Sequence, residues 1–311
     1  MTLRLGTRGS ALALAQSGQV AAAVHAATGE NVDLVEIVTP GDRSTAPVAG
    51  LGVGVFVSAL REALVAKEID FAVHSYKDLP TLPADGLTIA AVPLRADPRD
   101  VLVASGGRTL AELPSGARVG TGAPRRVAQL LALGLGLECV PVRGNVDTRL
   151  RKVTDGELDA VVLAHAGLAR LGRTAEITEI LDPMLLLPAP AQGALAVECR
   201  ADDTDLVEAL GALDHAASRA AVVAERALLA ELEAGCAAPV AALADVVEAE
   251  PGQPDEIYLR GAVLSLDGRV VVRLSRTGTL AHADRIGREL AAELLAEGAD
   301  HVLGVQHDPH P

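Results

Sequence analysis

Aromatic residues are almost missing from this chain, which has two Phe, two Tyr and no Trp in 311 residues. So few rings cannot build a platform for stacking bases. The charge balance is also wrong for a polyanion, with 27 Lys and Arg against 41 Asp and Glu and a net charge of −14. Nucleic-acid binding, which needs a basic field and stacking surfaces, is therefore not expected. Cysteine is scarce too. Cys139, Cys199 and Cys236 are scattered and odd in number, which rules out a disulfide framework and paired metal-type spacing. No apolar run approaches the ~20 residues of a spanning helix. Met1-Thr2-Leu3-Arg4-Leu5 reads directly as a strand and not as a secretory leader. The expectation is a cytoplasmic protein with no membrane or nucleic-acid partner, no metal, and a small ligand held locally.

What is present is arginine, gathered in three glycine-rich loops: Gly6-Thr7-Arg8-Gly9-Ser10, Gly120-Thr121-Gly122-Ala123-Pro124-Arg125-Arg126 and Arg143-Gly144-Asn145-Val146-Asp147-Thr148-Arg149. Each follows an apolar run that reads as a strand and precedes a pattern that reads as a helix. Backbone N–H groups and guanidinium forks gathered at strand ends can hold several anionic groups at once. In so acidic a chain the arginines are local equipment. Any one of them could pair with an acidic side chain. For Arg8, Arg125, Arg126, Arg143 and Arg149 together an anionic ligand is the better reading. Adjacent Arg125 and Arg126 repel and point to different faces of a helix, so that pair in particular requires anions. No Gly-x-x-x-x-Gly-Lys-Ser/Thr pattern is present, and Gly120-x-Gly122 lacks the third glycine of a dinucleotide site. Carboxylates suit guanidinium forks as well as phosphates do.

The chain is at the upper size limit of a single core, so two or three domains are expected. Strand–loop–helix alternation over residues 1–200 predicts α/β architecture with largely parallel sheets. Strands are expected at Leu3–Thr7, Val32–Val38, Phe71–Val73, Ile89–Val92, Val101–Ala104, Arg118–Gly120, Glu138–Val142, Ala160–Leu163 and Ala194–Cys199. Helices are expected at Ala11–Ala27, Ser58–Ala66, Arg125–Leu133, Val146–Thr154 and Ala166–Leu171. A weak duplication runs through this region. Arg4-Leu5-Gly6-Thr7 matches Arg118-Val119-Gly120-Thr121, Val35-Glu36-Ile37-Val38 matches Leu137-Glu138-Cys139-Val140, and Glu68–Val73 matches Glu157–Val162. The order is kept while the offset shrinks, which favours two similar α/β domains with strand ends along a cleft. Pro93–Asp100 and Leu187–Pro190 read as the two crossings between them. From about residue 215 the pattern changes to a long helix near Ser218–Ala234, a strand at Val240–Leu243, a hairpin of Ile257–Leu266 and Val270–Ser275 about Asp267-Gly268, and a helix at Ala283–Glu297. The expected domains are 1–96 with 193–214, 97–192, and a small α+β domain 215–311.

Two other groups of residues could carry chemistry. Cys236 falls in Glu233-Ala234-Gly235-Cys236-Ala237-Ala238-Pro239, just past a helix end. A helix C-terminus raises a thiol pKa, so position alone favours a small residue in a tight turn. Cys139 and Cys199 read as buried small hydrophobes. His74-Ser75-Tyr76-Lys77-Asp78-Leu79-Pro80 follows an apolar strand, at the strand end where α/β sheets place ligands. Asp78 could stabilise a cation or move protons, and Lys77 could bind an anion. A solvated loop pair is the plainer alternative, and His74 reads as a core or ladder histidine.

Together these segments resemble the porphobilinogen deaminase (hydroxymethylbilane synthase) family over nearly the whole chain. The resemblance is carried by Arg4–Ala13, Gly41-Asp42, His74–Pro80, Gly120-Thr121 with Arg125-Arg126, Arg143–Arg149, Gln192-Gly193-Ala194 and Gly235-Cys236. It implies two periplasmic-binding-protein-like α/β domains flanking a cleft, plus a small α+β C-terminal domain. It implies a transferase of haem biosynthesis that joins four porphobilinogens head to tail with loss of ammonia. It also implies a dipyrromethane cofactor bound by a thioether to Cys236, and a monomeric enzyme. By the same resemblance Asp78 is the catalytic carboxylate. Cys236, Lys77, Ser75, Thr121, Arg125, Arg126 and Asp78 bind the cofactor, and Arg8, Ser10, Arg143, Arg149 and Arg170 bind substrate. Each pyrrole carries an acetate and a propionate, which the arginines match. The chain departs from the family pattern at Leu51–Ser58, where Val53 and Ser58 stand in place of lysines and Arg61 is the candidate substitute. Ala191 stands where relatives often have glycine. The alternatives are a non-catalytic two-domain anion-binding protein and a thiol enzyme acting on acyl groups through Cys236.

Overall fold

The structure, a computed structural model, describes residues 2–37, 55–233, 238–247, 250 and 253–304. The chain divides into two compact units, residues 1–96 with 193–219 and residues 97–192 with 220–311.

In the first unit β1 (Thr2–Thr7) leads into α1 (Ala11–Thr28), then β2 (Asn31–Glu36), α2 (Val55–Val65), β3 (Phe71–Ser75) and β4 (Leu87–Ala91). The second unit follows with β5 (Asp100–Ala104), β6 (Arg118–Gly120), α3 (Pro124–Ala132), β7 (Glu138–Val140), α4 (Val146–Thr154), β8 (Ala160–Ala164), α5 (His165–Arg170) and β9 (Glu179–Ile180). The chain then returns to the first unit through β10 (Leu195–Arg200) and α6 (Thr204–Gly211). Sequence-local chemistry sets the helix ends. Ser10 caps α1 by accepting from the Ala13 amide at 3.3 Å, and Gly29 closes it in the left-handed region at φ 75°. Asn145 caps α4 through the Thr148 amide at 2.9 Å, and Pro124 occupies the first turn of α3.

The two sheets have the same topology. Their orders are β2-β1-β3-β10-β4 and β7-β6-β8-β5-β9, so β1, β2 and β3 correspond to β6, β7 and β8. The correspondence extends to atoms. The Arg4 amide donates to Asp70 Oδ2 at 2.8 Å, and the Arg118 amide donates to Asp159 Oδ2 at 2.7 Å. A Cβ on Gly6 would lie 2.2 Å from Ile69 Cδ1, and one on Gly120 would lie 2.6 Å from Leu158 Cδ1. Ile69 and Leu158 occupy matched positions in the duplicated segments, so in both copies a glycine makes room for the residue that leads into the third strand. The expectation of largely parallel sheets is corrected. β1 pairs in parallel with β2 and β3, but β10 is antiparallel to β3 and β4. Likewise β6 is parallel to β7 and β8, while β5 is antiparallel to β8 and β9. β5 and β10 each follow a long crossing segment, not a helical crossover, so nothing forces them parallel.

Apolar residues cover the sheets. Leu5, Phe71, Val73 and Val197 pack with Val20, Val24 and Leu210 in the first unit. In the second, Leu102, Val119 and Val162 pack with Leu130 and Leu186, while Val101, Val103 and Val161 pack with Leu150 and Leu168 on the other face. The remaining elements are α7 (Ala216–Glu231), β11 (Val240–Val247), β12 (Glu256–Leu264), β13 (Val271–Thr279), α8 (Ala283–Leu294) and α9 (Asp300–Leu303). Their antiparallel sheet, β11-β12-β13, packs α7 and α8 through Leu228, Ile257, Leu259, Leu290 and Leu294. Its other face meets α3 through Ala128, Leu187, Leu243, Ala262 and Leu264. Several boundaries differ from expectation. β7 stops at Val140 because Pro141 cannot extend the ladder. α8 stops at Leu294, and Gly298 at φ 94° turns the chain before α9. α6, capped by Asp203, was not foreseen. Val38, Gly41, Asp42, Val53, Gly235 and Cys236 lie outside the described residues.

Candidate active site

In the first unit the parallel pairing of Leu5 with Phe71 and Gly6 with Ala72 sets the C-terminal ends of β1 and β3 side by side. The loop Arg8–Ser10 leaves one strand, and a short turn, Tyr76–Asp78, leaves the other. Arg8, Ser10, Ser75, Lys77 and Asp78 therefore belong to one sheet edge. Asp78 is exposed, and Arg8, Ser10, Ser75 and Lys77 are half-buried. The two strand ends are tied through α1. Gln16 Nε2 donates to Ser75 Oγ at 2.9 Å, and Ser17 Oγ donates to Thr7 Oγ1 at 2.8 Å. Gln16 carried no sequence signal, because a lone polar residue inside an alanine-rich helix reads as surface.

Behind this edge lies a buried charge. Glu198 on β10 is 2 % exposed, with His74 Nε2 3.1 Å from its Oε2 and Arg61 Nη2 2.8 Å from its Oε1. Burial alone would raise the Glu198 pKa, but the neighbouring His74 and Arg61 hold it below the ordinary value. His74 is thus the ladder partner expected of it. Arg61, the candidate substitute for the loop lysines, commits two of its nitrogens to Glu198.

In the second unit β7, β6 and β8 run parallel, so the loops that follow them open on one edge. Thr121 stands there, buried, with its hydroxyl accepting from the Ala123 amide at 3.3 Å. The expectation that Arg125 and Arg126 need anions meets an internal answer. Asp100, fully buried at the start of β5, accepts from Arg125 Nη1 and Arg126 Nη2, each at 2.7 Å. Arg125 also donates to the Leu187 carbonyl at 2.7 Å, and Arg126 to the Val162 carbonyl at 2.9 Å. Gln192 Nε2 completes the set, bonding Asp100 Oδ1 and the Pro98 carbonyl at 2.7 Å each. Burial would raise the Asp100 pKa, but Arg125 and Arg126 hold it far below the carboxylate range. The anion that Arg125 meets is therefore a protein carboxylate, and its Nη1 faces the core.

One carboxylate shared by two arginines leaves an excess of positive charge. Arg126 Nε is buried with no hydrogen-bond partner among the described residues. Arg149 donates from Nε to the Gly144 carbonyl at 2.9 Å and has no acidic partner among the described residues. Burial, and then the charge of Arg126, lower the Arg149 pKa. Burial pushes Arg170, at the end of α5, down to about 10. Arg143 is exposed at the mouth of its loop. Arg149, desolvated without an acidic partner among the described residues, suits an anionic ligand, and the acid side chains of a dipyrromethane have that chemistry. Of the other two cysteines, Cys199 matches the expectation of a small buried group, whereas Cys139 is only half-buried. Cys199 is fully buried, with burial, followed by Asp203, pushing its thiol up to about 11, while burial raises that of half-buried Cys139.

Comparison with known proteins gives these edges a context. Residues 3–208 match the family model described as "Porphobilinogen deaminase, dipyromethane cofactor binding domain", and residues 219–296 match that of the porphobilinogen deaminase C-terminal domain. The chain belongs to the porphobilinogen deaminase family. It is similar to a porphobilinogen deaminase of Nocardia farcinica, with 62 % identity over 304 residues, covering 97 % of this chain and 88 % of the relative. It is also similar to one of Mycobacterium bovis, with 58 % identity over 309 residues, 98 % and 100 % respectively. Among solved structures, a methionine-binding protein matches at TM-score 0.43 and 15 % identity, covering 68 % of this chain and 88 % of that one. An L-cystine solute receptor of Neisseria gonorrhoeae matches at TM-score 0.40 and 16 % identity, covering 68 % and 85 %. The first family model spans both α/β sheets, and its description names the dipyrromethane cofactor. No helix among the described residues is long and apolar enough to cross a membrane.

Proposed function

We propose that this chain adds four porphobilinogen molecules head to tail, releasing one ammonia at each step, to a dipyrromethane primer attached through a thioether to Cys236, and that water then cleaves the added four-ring chain from the primer as hydroxymethylbilane. The observation that carries this reading, within a porphobilinogen deaminase, is the desolvated cation Arg149 beside an arginine pair that one carboxylate only partly neutralises. The dipyrromethane, when bound, supplies the pyrrole end from which the product grows.

The residues divide by what they can do. Arg126, Arg149, Thr121 and Arg170 in the second unit, with Arg8, Ser10, Ser75 and Lys77 in the first, hold acetate and propionate arms by charge-assisted hydrogen bonds. Arg143, exposed on its loop, meets incoming carboxylates first. Arg125 acts through Asp100 and the Leu187 carbonyl, and so holds the helix that bears Arg126 in place. Asp78 stands where a carboxylate can accept a pyrrole N–H and stabilise the positive charge that develops on porphobilinogen as ammonia leaves. The division into domains 1–96 with 193–214, 97–192 and 215–311, the cytoplasmic location and the monomeric state belong to the same reading. A non-catalytic anion-binding protein is not favoured, since relatives at 62 % and 58 % identity are porphobilinogen deaminases.

Intact-mass measurement tests the reading. The parent protein is expected to carry a two-pyrrole adduct that Cys236→Ser lacks. Asp78→Ala is expected to keep the adduct and the melting temperature, because the side chain is exposed, while porphobilinogen turnover falls by about 10²–10⁴-fold. An unmodified parent protein, or turnover within tenfold of normal in Asp78→Ala, would defeat the corresponding assignment.

A further inference from the structure

The helix that carries Arg125 and Arg126 is gripped from outside its own sheet. β12 and β13 turn through Asp267-Gly268, where Gly268 has φ 70°. A Cβ there would lie 2.5 Å from the carbonyl oxygen of Ala128 and 2.7 Å from the amide nitrogen of Ala132. Both are backbone atoms of α3, which cannot swing aside as a side chain could. Leu266, two residues before this glycine, shares a recess with Thr121, Gly122 and Pro124 of the loop that opens α3. Arg273 on β13 donates to the Met184 carbonyl at 2.6 Å and to Gln129 Oε1 at 3.4 Å. Gln129 in turn brackets Leu187, donating to its carbonyl at 3.0 Å and accepting from its amide at 2.8 Å. Packing of Ala128 against Leu243, Ala262 and Leu264 closes the same contact.

We propose that the β12–β13 hairpin is a positioning element for the second-unit half of the site. It fixes α3 along its axis, and with it the placement of the Thr121 loop and of Arg126 beside Arg149. This rests on the reading above that these groups hold the acid arms of the pyrroles. On this proposal the hairpin acts through α3, so its effect belongs to binding geometry and not to the bond-making step.

The test compares Gly268→Ala with Gly116→Ala in the full-length enzyme. Both glycines sit in the left-handed region, Gly116 at φ 84°, but a Cβ on Gly116 would meet nothing within 4 Å. The two variants therefore share the backbone strain and differ in the contact with α3. Steady-state porphobilinogen kinetics and thermal unfolding are measured together. Gly268→Ala is expected to raise KM about threefold to tenfold with kcat changed less than about twofold, while Gly116→Ala keeps the parent KM and loses only the stability that the shared backbone strain costs. Equal KM values in the two variants, or a loss of kcat in proportion to unfolded protein, would overturn the proposal. If Gly268→Ala does not fold, Leu266→Ala replaces it, because that side chain is 64 % exposed and is not needed for the sheet. It is expected to raise KM about twofold, and an unchanged KM would overturn the proposal. A parent enzyme with neither pyrrole adduct nor porphobilinogen turnover is a separate result that removes the functional reading and this proposal with it.

Discussion

Arg149 is a cation drawn away from water with no carboxylate partner among the described residues. Desolvating a charge is costly, and a protein keeps such a group where a ligand supplies the missing partner. Arg149→Ala removes that cost along with one hydrogen bond to the Gly144 carbonyl. Its stability is therefore expected to stay within about 1 kcal/mol of the parent while chain growth from porphobilinogen is impaired. A large drop in melting temperature with normal product formation would show that Arg149 is structural. Asp100 is the opposite case, a buried anion satisfied three times over by Arg125, Arg126 and Gln192. Its folded pKa lies far below the ordinary carboxylate value of ~3.9. A depressed folded pKa contributes stability that is fully present above the unfolded value and is lost as the pH falls through it toward the folded one. Urea unfolding is expected to show parent stability dropping steeply below about pH 4. Asp100→Asn should start about 3–5 kcal/mol lower at pH 7 and have a flatter acid limb. Parallel acid limbs in the two proteins would remove Asp100 as the source.

Matched glycines at the ends of β1 and β6 show how an element is fitted to its neighbours. A methyl on Gly120 would lie 2.6 Å from both Leu158 Cδ1 and Val142 Cγ2, and both of those residues are buried. Gly120→Ala is expected to cost about 1–3 kcal/mol by overpacking. Leu158→Ala alone leaves a cavity worth about 2–5 kcal/mol. The double variant should be more stable than the sum of the two losses predicts, since each change makes room for or fills the other. Strict additivity in denaturant unfolding would mean that the two side chains do not compete for one space. Much of this element level was legible in the sequence. Apolar runs ending in Gly-Thr located β1 and β6, the Glu-x-Asp segments located the entries to β3 and β8, and the helical patterns after two arginine loops located α1 and α4. Strand direction was not legible, because it depends on whether a strand is reached by a helical crossover or by a long crossing segment. Nor was the role of Asp100, since a carboxylate opening an apolar strand reads as a solvated end. Its partners Arg125 and Gln192 lie 25 and 92 residues further along the chain. The arginine loops were found, but which of their guanidinium groups an internal anion would occupy depended on that distant pairing.

At the scale of the whole molecule the charges oppose one another. The chain carries a net −14, yet the groups proposed to hold substrate are cations gathered at two sheet edges. Acidic side chains elsewhere repel one another in the compact state, and that repulsion weakens as salt is added. Attraction between the edge arginines and pyrrole carboxylates weakens as well, because the Debye length falls from about 10 Å at 0.1 M salt to about 3 Å at 1 M. One variable should therefore strengthen folding while it weakens binding. Between 0.05 and 0.5 M sodium chloride (roughly a threefold fall in Debye length) the melting temperature is expected to rise while KM for porphobilinogen rises too, with kcat nearly constant. A KM that stays flat while the melting temperature climbs would mean that carboxylate binding owes little to exposed cations such as Arg143. Binding energy would then reside in the desolvated groups, Arg126 and Arg149, which salt does not reach.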